Sequence, residues 1–160
     1  MKILQLLEYS QDLRHSYLDA LSKLPWEEFV KERGGTFDSL RNIYLHCLAV
    51  LDSWVNHLLK GNPERPKLNY DEYDSMEKIK AYLERVESDT NAYLSRMTPE
   101  ELSRSFDRTF RDGSVARVTV EDTLVDFFQE ETHHRGELIA LLWQMNIAPP
   151  HMSWSKYLQQ

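Results

Sequence analysis

The sequence predicts an all-α fold: a four-helix bundle with one long crossover and a small β-hairpin before the last helix. Three observations carry this reading. Long stretches repeat their apolar residues every three or four positions, as the buried face of a helix does. Five glycines and six prolines are few for a turn-rich β fold. One short stretch alternates instead, about an Asp-Gly dipeptide, as a hairpin does. At 160 residues the chain suits a single domain spanning 1–160.

The first helix carries Ile3, Leu4, Leu7, Leu18 and Leu21 on one side and runs to about Leu24, where Pro25 ends it. A loop with Gly34 and Gly35 follows. Thr36 or Asp38 then caps a second helix, whose inward positions are Leu40, Ile43, Cys47, Leu51, Trp54 and Leu58. Gly61 and Pro63 mark its end. From Gly61 to about Tyr73 there is no periodicity, and two prolines, Pro63 and Pro66, fall there. That length allows a crossover between parallel or non-adjacent helices. The third helix should occupy about Ser75 to Met97, with Met76, Ile79, Leu83, Val86 and Leu94 inward, and Thr98-Pro99-Glu100-Glu101 reads as the cap and first turn of a short helix. Phe106 to Val118 alternates around Asp112-Gly113, a pair suited to a type I′ turn. Thr119 or Glu121 then starts the last long helix, with Leu124, Phe127, Phe128, Leu138, Leu141, Leu142 and Met145 facing in, before Pro149-Pro150.

Nineteen Lys and Arg stand against 26 Asp and Glu, a formal charge of -7. That is the wrong sign for a general polyphosphate binder, so nucleic acid is not an expected partner. A single cysteine makes no internal disulfide and suits a reducing cytoplasm. The apolar start Ile3 to Leu7 is cut by Glu8 before it reaches the length of a secretory core. No stretch approaches the roughly 20 apolar residues of a membrane span. A cytoplasmic protein without a membrane partner is expected.

The chemistry lies on the last helix. At about 100° per residue, Phe127, Leu138 and Met145 fall within about 40° of His134, so His134 projects inward. Glu131 shares the apolar face, and Glu130, one turn before His134, lies at its edge. An unpaired carboxylate in a core costs several kcal/mol, so it needs a cation, a hydrogen-bond network or water, and a divalent metal satisfies that need. His46 flanks the apolar face of the second helix. With Glu130 and His134 it completes a two-histidine, one-carboxylate set of the type that bundles use for metals. A Glu-x-x-x-His pair alone is also a common surface contact. His133 lies opposite the core and reads as solvated, His15 and His57 carry no motif, and Cys47 reads as a buried core thiol. Gly136 interrupts the helix at a cost of about 1 kcal/mol against alanine, and either a close helix approach or mere tolerance accounts for it.

The run Ser39-Leu40-Arg41-Asn42-Ile43-Tyr44-Leu45-His46, with Trp54 eight residues on, and the run Glu130-Glu131-Thr132-His133-His134-Arg135-Gly136-Glu137-Leu138 together resemble the DinB family. The resemblance extends over essentially the whole chain and includes the hairpin. It implies an up-down-down-up bundle, usually a homodimer, with a divalent metal held by three histidines. His46 and His134 match the first and third of these, and Glu130 stands where the family usually has the second. A carboxylate can serve zinc or nickel there, the metals first expected, or iron or manganese. Read from the helix itself, Arg135 and Glu137 either pair with neighbouring carboxylates or donors behind the ligands or stand as exposed helix charges.

Relatives of the family include transferases dependent on bacillithiol or mycothiol. The resemblance thus implies a metal-dependent low-molecular-weight-thiol S-transferase acting on a small electrophile, with Glu131 a candidate proton acceptor or ligand orienter. Two other expectations stand beside it. One is a non-catalytic stress-response or binding dimer with a structural or vestigial metal; the other is a metal-dependent hydrolase.

Overall fold

Four helices open on a hydroxyl that accepts a bond from a backbone amide three residues on. Ser39 caps α3 (Leu40–Leu51), Ser75 caps α4 (Met76–Leu94), Thr98 caps the short α5 (Pro99–Leu102) and Thr119 caps α6 (Val120–Gln144). Each bond satisfies an amide that a helix start leaves without a partner, and so fixes the start and the phase of the helix. At Thr119 the arrangement is reciprocal, since Asp122 accepts from the Thr119 amide in return. The cap of α3 is therefore Ser39, one or three residues later than the sequence suggested.

The computed structural model describes residues 1–62, 64, 67–151 and 153–159. Pro63 and Pro66, read from sequence as part of the crossover, lie outside the described residues. The first helix, α1, spans Lys2–Leu21 and stops slightly before Leu24; a short α2 (Trp26–Val30) follows Pro25. That helix was not legible, because a single turn shows no period. It buries Phe29 fully.

The helix directions follow from which residues meet. Asp52 meets Tyr82 and Arg85, Asn56 meets Val86 and Thr90, and Lys60 reaches Asp89. Positions rise together along both helices, so α3 and α4 run parallel and the long connection is a true crossover. Against α6 the order inverts: Thr36 pairs with Glu137 and His46 with Glu130. Ser10 meets Glu131, and Tyr17 reaches the Pro150 carbonyl, so α1 runs with α6. The bundle is up-down-down-up, as expected.

The interior is built from Leu7, Tyr17, Leu21, Phe29, Ile43, Tyr44, Leu48, Ile79, Leu83, Val86, Phe127 and Leu138, among others. Beyond Leu51 the second long helix departs from the expected phase. It continues as a π-helix over Asp52–Leu58, with the Leu59 amide bonded to the Trp54 carbonyl and the Asn62 amide to His57. These five-residue bonds widen the turn and move the inward side by one residue. Val55 and Leu59 are buried, whereas Trp54 and Leu58, predicted from a 3.6-residue period, are only half-buried. Asp52, at the start of this segment, is 1% exposed, and Arg85 and Tyr82 donate to it.

Strands β1 (Ser105–Thr109) and β2 (Val115–Thr119) pair antiparallel, with Arg108 opposite Ala116. The turn is not the expected type I′. Its backbone is closed by the Gly113 amide on the Phe110 carbonyl, and Gly113 alone takes a positive φ, of 83°, while Asp112 does not. This is the three-residue form, in which glycine supplies the left-handed residue. A short α7 (Trp154–Tyr157), absent from the sequence reading, packs its aromatic rings on Tyr9. Among the described residues, no helix is long and apolar enough to cross a membrane.

Candidate metal centre

His46 lies two turns into α3, and Glu130 and His134 lie one turn apart in the middle of α6. Because the two helices are antiparallel neighbours, the three residues come level. His134 Nε2 stands 3.1 Å from Glu130 Oε1, and His46 Nε2 stands 3.6 Å from the same oxygen. The imidazole rings meet edge to face with centroids 4.5 Å apart. One ligand atom from each residue lies within 4.8 Å of the others.

This donor set fits a divalent ion. Ligand atoms about 2.1 Å from a tetrahedral centre stand about 3.4 Å from one another, and the two distances to Glu130 bracket that value. Two neutral nitrogens and one anionic oxygen suit zinc, nickel, iron or manganese rather than calcium or magnesium. Burial first, and then the neighbouring His134, pushes His46 below its ordinary pKa, against the opposing pull of Glu130. The neutral imidazole so favoured is the metal-binding form.

The loop before α3 closes one side of the group. Gly34, Gly35 and Asp38 take positive φ values of 77°, 90° and 65°, which glycine and aspartate tolerate better than most residues. The turn they form lays the Phe37 ring flat on His46, with centroids 3.9 Å apart, and edge-on to His134 at 5.2 Å. Thr36 donates to Glu137 Oε1 at 2.8 Å. The other oxygen of Glu137 lies 3.5 Å from His134 Nδ1. Sequence periodicity missed Phe37, since a loop residue has no helical phase to reveal it; the paired glycines were the one available signal.

Glu131 does not join this group. It is 2% exposed and accepts from Ser10 Oγ at 2.7 Å and from Arg14 Nη1 at 2.8 Å. Arg14 also donates to Glu87 at 2.9 Å, and the exposed His15 lies 2.6 Å from the far oxygen of Glu87. Burial alone would lower the pKa of Arg14, but Glu131 and Glu87 outweigh it and hold the guanidinium firmly charged. Arg135 joins through Ser10. This buried ion network ties α1, α4 and α6 together; the sequence placed Glu131 and Arg135 on the inward helix beside the metal ligands and showed nothing of Ser10, Arg14 and Glu87.

Of the remaining sequence candidates, Cys47 is buried, and burial with the nearby Glu131 pushes its thiol far up. His133 is exposed, though its ring lies within reach of Glu137. An alanine methyl at Gly136 would meet nothing within 4 Å among the described residues, so no described helix approaches closely there. A cleft of about 270 Å³ opens between α1, α4 and the π-helical segment, beside Leu7, Val55, Leu94 and Phe127; it contains none of the three candidate ligands.

The model of the DinB family matches residues 1–160. Among solved structures, the crystal structure of a DinB-like protein from Bacillus cereus ATCC 10987 is similar to this chain, with a TM-score of 0.66 and 19% identity over 94% of this chain and 95% of that one. At that identity the likeness speaks for the fold. No curated protein matches the sequence.

Proposed function

From the premise that this chain belongs to the DinB family over its whole length, we propose that it binds a divalent metal through His46, Glu130 and His134 and uses it to transfer a low-molecular-weight thiol to a small electrophile. The observation that carries the metal reading is the convergence of these three donors from two helices. Glu130 replaces an imidazole by a carboxylate and keeps a donor in place, 3.1 Å from its helical neighbour His134. Zinc or nickel is the expected occupant.

Three protein ligands are the number found at catalytic rather than closed structural zinc sites. A metal held there supplies the Lewis acidity that lowers the pKa of a thiol. The chain's own residues do the rest. His46, partly accessible, and Glu130, half-exposed, leave the centre reachable from outside, while Phe37 and the buried His134 shield its inner side. Cys47, buried and firmly protonated, does not provide the nucleophile, so the thiol must come from solution. A homodimer accompanies this reading.

Metal analysis of purified, loaded protein tests the site. One equivalent of divalent metal in the wild type and loss in His46→Ala and His134→Ala are expected; no stoichiometric metal under any loading condition would refute it. Glu130→Ala should weaken binding and Glu130→His should retain it. Metal-dependent consumption of a chromogenic electrophile with a panel of thiols tests the transfer. Fully loaded protein without turnover would favour a structural centre, and sedimentation of the loaded protein reads the dimer.

A further inference from the structure

Two buried polar atoms of the centre have no hydrogen-bond partner among the described residues, and they face each other. They are His134 Nδ1 and Glu137 Oε2, 3.5 Å apart. A histidine that gives its Nε2 lone pair to a metal must carry its proton on Nδ1, and a buried N–H needs an acceptor. On the other side of the ring, Nε2 lies 3.1 Å from Glu130 Oε1, which is the ligand side. Across from Nδ1 stands Glu137, one turn further along α6, with one oxygen unpaired and aimed at the ring. A sub-ångström movement of either side chain closes this gap to hydrogen-bond length.

The second oxygen of Glu137 is already occupied. It accepts from Thr36, whose neighbour Phe37 stacks on His46 and abuts His134. The loop is held on its other flank by the Arg33 amide on the Asp38 carbonyl, at 2.6 Å. One carboxylate therefore joins the back of a ligand to the loop that covers the ligands.

We propose that Glu137 is the positioning residue of the centre: it accepts a hydrogen bond from the Nδ1–H of His134, commits Nε2 to the metal, and through Thr36 clamps the Phe37 loop over both histidines. This inference rests on the metal reading above. It assigns Glu137 no contact with the metal itself. The exposed His133, 3.7 Å from Glu137 Oε1, competes at most for the oxygen that Thr36 holds.

Cobalt(II) is a suitable probe, since its visible spectrum reports coordination without turnover. Wild type, Glu137→Ala, Glu137→Gln and Thr36→Val are titrated with cobalt against a chelator, each checked for folding by its urea midpoint. Loss of the acceptor in Glu137→Ala should weaken cobalt binding by about 10- to 100-fold and alter the visible bands, as removal of a partner behind a metal-bound histidine does. Glu137→Gln keeps an acceptor oxygen and should recover most of that loss. Thr36→Val should leave affinity near wild type and speed the release of cobalt to chelator. In the zinc-loaded protein, nitrogen NMR of labelled histidine should show His134 metal-bound at Nε2 and protonated at Nδ1. Cobalt affinity and spectrum in Glu137→Ala within about twofold of wild type, or His134 bound through Nδ1, would overturn this inference alone. Failure of the wild type to bind cobalt would overturn it together with the metal site.

Discussion

Replacing Arg14 with methionine isolates the ion network from the candidate metal centre. Methionine keeps most of the apolar stem of the arginine and removes only the charge and its donors. In the native protein Arg14 spans two carboxylates, Glu87 at 2.9 Å and Glu131 at 2.8 Å, each with no more than 6% of its side chain exposed. Breaking one buried ion pair costs about 3–5 kcal/mol, chiefly because the remaining charge stays buried. Here two charges remain. Both have partial relief, Glu131 from Ser10 and from Arg135 at 3.9 Å, and Glu87 from His15 and Gln11. A loss of about 4 kcal/mol at about pH 7.5 is expected, or roughly 8–16 °C in Tm for a chain of this length. Urea unfolding measures it. A deficit below about 1 kcal/mol at neutral pH would refute the assignment of Arg14 as the counter-ion of both acids.

Glu131→Gln should lower stability by about 1–3 kcal/mol through its weakened bonds to Arg14 and Ser10, while cobalt affinity stays near wild type; a large loss of affinity in the folded variant would return Glu131 to the centre. Gly136→Ala should stabilise the chain by about 0.5–1 kcal/mol in urea unfolding, because the helix gains propensity and the methyl meets open space; destabilisation would show that another molecule covers that face. Cys47 should resist a thiol-specific chromogenic reagent at about pH 8 in native buffer and react fully in denaturant, since burial raises its pKa and excludes the reagent. Rapid reaction in native buffer would contradict its place in the core.

The helices of the bundle were legible because their apolar residues keep a 3.6-residue period over many turns. Ile79, Leu83 and Val86 of α4, and Leu124, Phe127 and Leu138 of α6, are buried as that period requires. The same rule failed at Trp54 and Leu58. Nothing in local composition announces that Asp52–Leu58 will widen into π turns, since the gain is tertiary: Asp52 reaches Arg85 and Tyr82 on α4, and Asn56 bonds the Val86 carbonyl. The hairpin was placed by its alternation, but the φ of Asp112 depends on how the strands twist together, which selected the three-residue turn.

At the centre, spacing along one helix was sufficient to join Glu130 to His134, because i and i+4 side chains share a face. Sequence order also put His46 on a helix that could meet them. What the sequence by itself determined, then, is what a single regular helix determines: the phase of α4 and α6, the caps at Thr98 and Thr119, the inward projection of His134, and the burial of Glu131 beside it. Tertiary structure decided which of two adjacent acids serves which site. One residue of helix is about 100°, enough to turn Glu130 toward His46 on α3 and Glu131 toward Arg14 on α1. That division depends on where the neighbouring helices lie. So does the placement of Phe37 and Thr36, loop residues whose contacts with His46 and Glu137 exist only once α3 and α6 have packed antiparallel.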